Sequence, residues 1–197
     1  MKYLYQSKTN EELEGLAVGL LAKYPTRVKA CWVDIEGVLE DMGISLLPRP
    51  GIQKKASVDA FLPRNPNFVI IDEEYGTDLP FFRLIIGEEI SHRLLEPELW
   101  TQGVPEGANI YEIDKQIMAL ALLMPESKFT ERYRFHWAQI VEKVQTNNNY
   151  NDKISYAVNA LANDFEVTFN AVVSRGRLTG LFKGQITKKE LPGAVIF

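Results

Sequence analysis

Apolar residues recur at helical spacing from Leu13 to Leu21, behind Thr9 and Glu12, whose separation is that of a capping box. The pattern predicts a first helix ending near Tyr24 and Pro25. A second, short helix is predicted over Asp34 to Met42, stopped at Gly43. Strand-like runs follow at Ile44 to Leu47, closed by Pro48 and Pro50, at Val58 to Leu62 and at Asn67 to Ile71. Pro63-Arg64-Asn65-Pro66 supplies a turn between the last two, which predicts an antiparallel pair in a small sheet. Helical spacing returns at Asp78, a cap with Pro80 in the first turn, and runs to about Leu95. A loop containing Pro97, Gly103, Pro105 and Gly107 separates it from a helix over Asn109 to Leu123, which ends before Pro125. Further helices are predicted at about Thr130 to Val144, Lys153 to Asn163 and Thr168 to Thr179. Thr168 is the cap and Gly180 the stop of the last. The reading is an α+β chain, with a small sheet and helices in residues 1–125. A mostly helical region follows in 126–197, ending in a pair that can pack like a helix-turn-helix.

Two helices carry charge where core is expected. Phe81, Ile85, Glu88, His92 and Leu95 form one stripe, so Glu88 and His92 stand one turn apart on a face predicted to be buried. In the next helix Ile110, Asp114, Ile117, Met118 and Ala121 form the stripe, and Asp114 is its single charge. Buried charges are costly unless paired or coordinated. If the helices pack together, Glu88, His92 and Asp114 can converge as three ligands with an open position, the arrangement of a catalytic zinc centre. Glu89 points about 100° away around the helix and is placed to act as general base toward a bound water. The plainer reading makes Glu88 and His92 a hydrogen-bonded pair and bonds Asp114 to Arg83 or to backbone.

Composition narrows the field. With only two histidines, His92 and His136, a site built from several is excluded. His136 shares a stripe with Tyr133, Trp137, Ile140 and Val144 and reads as a satisfied core or interface residue rather than a ligand. The single cysteine, Cys31, lies among apolar neighbours and reads as a small buried hydrophobe in a reducing compartment. A net charge of −4 argues against general nucleic-acid binding. The first residues lack the apolar core of a secretory leader, and the longest uncharged apolar run, Ile117 to Pro125, is too short to span a bilayer. The expectation is a cytoplasmic protein with no membrane partner.

Arg83 to His92, Arg-Leu-Ile-Ile-Gly-Glu-Glu-Ile-Ser-His, resembles the pattern Arg-Phe-Thr-Leu-Ala-His-Glu-x-x-His. Asp114 to Pro125, Asp-Lys-Gln-Ile-Met-Ala-Leu-Ala-Leu-Leu-Met-Pro, resembles Glu-Ala-Asn-x-Phe-Ala-Ala-x-Leu-Leu-Met-Pro. These are hallmarks of the ImmA/IrrE family of metallo-endopeptidases. The resemblance covers about residues 10 to 130 and continues more weakly through 161–168 and 177–181. It implies a zincin-like core with a small sheet and an active-site helix, zinc ligands at Glu88, His92 and Asp114, and a catalytic glutamate at Glu89. It also implies a bacterial or phage regulator that cleaves a repressor protein. Two ligand positions depart from the pattern: Glu88 replaces histidine, and Asp114 replaces the longer glutamate. Two anionic ligands weaken a metal's Lewis acidity, and an oxygen-rich site admits Mn²⁺ or Fe²⁺ beside Zn²⁺, or no metal.

Three functions compete. One is a metal-dependent endopeptidase acting on a transcriptional repressor. A second is a catalytically silent relative that binds such a partner without cutting it. The third and weakest is DNA contact through the C-terminal pair, near Arg175, Arg177, Lys183, Lys188 and Lys189.

Overall fold

The computed structural model describes residues 7–52, 60–61, 67–95, 109–143 and 150–182. Helix α1 is Asn10–Leu21, and its capping box is formed: Thr9 Oγ1 accepts the Glu12 N–H at 3.2 Å, and the Glu12 carboxylate accepts the Thr9 N–H at 2.7 Å. Helix α2 is Ile35–Asp41, capped by Asp34, which accepts the Gly37 N–H at 3.0 Å. Gly43 follows at φ 75°, the left-handed conformation that ends a helix at little cost only in glycine.

Three strands follow: β1 Ser45–Arg49, β2 Ala60–Phe61 and β3 Phe68–Asp72, in the order β1-β3-β2. The antiparallel pairing expected from the turn is present, with Ala60 opposite Ile71 and Phe61 opposite Ile70. The turn itself, at Pro63 to Pro66, lies outside the described residues. β1 pairs parallel to β3, from Ser45 opposite Phe68 to Arg49 opposite Asp72. It therefore runs through Pro48, where the sequence predicted its end. An edge strand tolerates proline because one side of its backbone needs no ladder donor.

Helix α3 (Leu79–Leu95) begins where Asp78 accepts the Phe81 N–H at 3.3 Å, and α4 is Asn109–Leu123. Beyond Pro125 come α5 (Glu126–Lys143), α6 (Tyr150–Phe165) and α7 (Phe169–Leu178). α5 starts earlier than its apolar pattern predicted because its first N–H is satisfied from a distance: Glu14 accepts the Glu126 N–H at 2.8 Å. Thr168 caps α7 as expected, accepting the Ala171 N–H at 3.2 Å, and Gly180 at φ 69° terminates it.

The core is continuous across Pro125. Val33 and Val38, Val69 of β3, Ile86 and Ile90 of α3, Leu122 to Met124, Phe129, and Leu161, Phe165 and Val172 belong to one buried cluster. Burial of Leu122, Leu123 and Met124 gives the Leu-Leu-Met-Pro string a packing role. The Met124 carbonyl is held as well, since the Arg175 Nε–H donates to it at 2.8 Å while Arg175 also pairs with Glu14. Among the described residues, no helix is long and apolar enough to cross a membrane.

Candidate functional site

α3 packs against α4 along one flank and against α2 and β2 elsewhere. Its buried set is correspondingly wide: Arg83, Ile85, Ile86, Gly87, Glu89, Ile90, Ser91 and Leu95. The single-stripe expectation is corrected here. Glu89 is the buried carboxylate, 8% exposed, whereas Glu88 and His92 are only partly covered. A helix enclosed on two flanks has no single apolar stripe, so spacing alone misassigns its faces.

The contact with α4 is close because small residues line it. A Cβ added to Gly87 would lie 3.3 Å from the Ala119 Cβ, a tight contact that a shift of a few tenths of an ångström would relieve. Buried Ser91 satisfies its hydroxyl within the helix, donating to Gly87 O at 2.7 Å. The approach brings Glu88 Oε2 to 4.0 Å from Lys115 Nζ on α4, which also pairs with Glu112 at 2.7 Å.

Electrostatics follow from this placement. Burial drives the Glu89 carboxyl up to about 7, with the Lys115 charge opposing and Glu88 and Glu112 reinforcing. Glu89 Oε2 is buried with no hydrogen-bond partner. His92 is lowered by burial and then by the Lys115 charge. Burial works to lower Lys115, but the Glu112 hydrogen bond and the charges of Glu112, Glu88 and Glu89 outweigh it and raise the amine above its ordinary value.

Asp114 is buried at 3% exposure. Its carboxylate accepts the Lys8 N–H at 2.8 Å and the Ser7 hydroxyl at 3.3 Å, fixing the segment that enters α1. Of the two partners weighed in the plainer reading, Arg83 or backbone, backbone is the one it takes. Arg83 is engaged elsewhere. It donates to Val33 O at 2.7 Å, lies 3.4 Å from Glu166 and stacks over Trp32 at 5.0 Å. Thus α3 and α4 bring Lys115 to Glu88 and Glu112, while Asp114 holds the N-terminal segment. Among the described residues, no three histidine, cysteine, aspartate or glutamate side chains are grouped so as to hold a metal ion. As placed, the donors do not fit a resident divalent cation: an ammonium stands beside Glu88, and among the described residues no three donors converge.

Lys115 is the residue that stripe analysis passed over. Its signal lay in the string Asp114-Lys115-Gln116, where the resembled pattern has alanine after the acidic ligand.

The remaining sequence candidates have structural partners. His136 Nε2 lies 2.6 Å from Asp164 Oδ2, the same oxygen that accepts the Arg132 Nε–H at 2.7 Å. Burial raises the Asp164 carboxyl, but these hydrogen bonds prevail and leave it below its ordinary value. Cys31 is half-buried rather than fully buried. Arg175, counted in the basic C-terminal patch, is 3% exposed and internally paired. Lys183, Lys188 and Lys189 lie outside the described residues.

A zincin-like α+β domain with a glutamate pair on the helix beside its sheet defines a metallopeptidase-like protein. The chain matches the family described as the IrrE N-terminal-like domain, Peptidase M78, over residues 39–176, and it belongs to that family. The match runs from α2 into α7 and crosses Pro125. A search of curated proteins found no match.

Proposed function

We propose that this metallopeptidase-like protein regulates a protein partner by binding it rather than by cutting it. The observation that carries the reading is the Lys115 ammonium 4.0 Å from Glu88, at the position that the family pattern gives to a metal ligand. A positive charge there opposes entry of a divalent cation. The partner implied by the family resemblance is a transcriptional repressor, and the setting a bacterial or phage cytoplasm.

The test uses a helix-turn-helix repressor encoded by a neighbouring gene. The two proteins are mixed with added Zn²⁺ or Mn²⁺, and complex formation and the repressor's intact mass are measured. A stable complex with uncut repressor is expected. Cleavage of the repressor overturns the reading, and absence of any complex overturns the choice of partner.

A second reading keeps metal-dependent peptide hydrolysis, with Glu88, His92 and Asp114 as ligands and Glu89 as base. The observation in its favour is Glu89 itself, a buried carboxylate with an unbonded oxygen next to Glu88. It requires Lys115 to withdraw from Glu88. Loss of repressor cleavage in Glu89→Gln, with binding retained, would favour it.

A further inference from the structure

Helix α5 has two faces of different character. Buried Phe129, with Tyr133 and Trp137 packed against the same cluster, turns one face to the core. Arg132 and His136 reach α6 through Asp164. The exposed positions between residues 131 and 142 are Glu131, Arg134, Phe135, Ala138, Val141 and Glu142. They recur at helical spacing and form a second stripe, apolar in the middle and charged toward its ends. Phe135 is 47% exposed and Val141 50%. The Phe135 ring is also held in place: the Arg132 guanidinium lies 4.5 Å from its centroid, and the His136 ring meets it in a T-shaped contact. A ring already fixed loses little freedom when a partner covers it.

The order of residues along this stripe selects the partner. Arg134 stands four residues before Ala138 and Glu142 four after; Phe135 stands three before and Val141 three after. When two copies of α5 cross antiparallel about a two-fold axis at Ala138, each Arg134 faces the partner's Glu142, and each Phe135 faces the partner's Val141. A parallel pair would instead set arginine against arginine and glutamate against glutamate, which like-charge repulsion disfavours. Alanine at the crossing point lets the two helix axes approach closely.

We propose that the exposed face of α5 is a self-association surface, on which a second copy of this chain docks antiparallel about Ala138 through reciprocal Arg134–Glu142 pairs. The inference goes beyond the function argued above and does not rest on it. One helix face per copy is small beside the roughly 1,200–2,000 Å² that stable complexes bury. The dimer is therefore a weak one, in exchange with monomer.

The test is analytical ultracentrifugation of the full chain from about 10 μM to about 1 mM. Wild type should move from monomer mass toward dimer mass across that range. Arg134→Glu and Glu142→Arg should each weaken self-association about tenfold, because each sets like charges against one another twice in the symmetric pair. An equal mixture of the two variants matches opposite charges at both places and should associate as wild type does. Both positions are exposed, so thermal unfolding of each variant should stay near that of wild type. Monomer mass throughout for wild type overturns the inference and leaves this face to a different protein. Association that neither reversal weakens also overturns it, as does a mixture that stays monomeric where wild type associates.

Discussion

Lys115 Nζ stands 4.0 Å from Glu88 Oε2, across the helix contact where Gly87 faces Ala119. This pair links the fold to the chemistry. The same packing that places Glu88 beside α4 also brings a lysine to it.

Glu89 makes stability depend on pH. Its carboxyl is raised from 4.5 to about 7 in the folded protein, chiefly by burial. The folded state then holds the proton more tightly than the unfolded state. The contribution is fully present below about 4.5 and is lost as pH rises through about 7. The loss is on the order of 3 kcal/mol. Glu89→Gln removes this titration. Urea unfolding at pH 5 and pH 8 (pH values chosen roughly to bracket the window) should show the variant gaining on wild type as pH rises. An equal difference at both would contradict the burial assigned to Glu89.

Asp114 anchors the chain entering α1. Asp114→Ala leaves the Lys8 N–H and the Ser7 hydroxyl without their acceptor and should cost about 1–3 kcal/mol. Hydrogen exchange at the Lys8 amide should accelerate well beyond that of core amides in α4. Unchanged protection at Lys8 would show that this bond does not hold the segment.

Arg83 braces α3 against the chain before α2 and the turn after α6, through Val33 O and Glu166. Arg83→Ala strips a buried carbonyl of its charged donor and empties the space over Trp32. A loss of about 2–4 kcal/mol is expected by chemical denaturation. Glu166→Gln should cost far less, because Glu166 is 40% exposed and solvent screens the pair. Comparable losses in the two variants would place the weight on the ion pair instead.

Much of the fold was legible because local signals agreed with it. Thr9 with Glu12, Asp34 with Gly43, and Thr168 with Gly180 each predicted a helix end that is present. The Leu-Leu-Met-Pro string pointed to the family that the match over residues 39–176 shows. What escaped depended on distant partners. The parallel pairing of β1 with β3 has no local signature, and the start of α5 is capped by Glu14, more than a hundred residues earlier. The faces of α3 were misassigned because that helix is enclosed on two flanks. Lys115 was visible as a departure from the resembled pattern, but its meaning required knowing that α4 lies against Glu88.

The central claim is that Lys115, not a metal ion, stands beside Glu88. Its most direct measurement is elemental analysis of full-length wild type, purified without a histidine tag from metal-supplemented cells. Zinc, manganese and iron are each expected far below one atom per chain in folded, monodisperse protein. One equivalent of any of them, lost on His92→Ala, would contradict the account and restore the metal centre at Glu88 and His92.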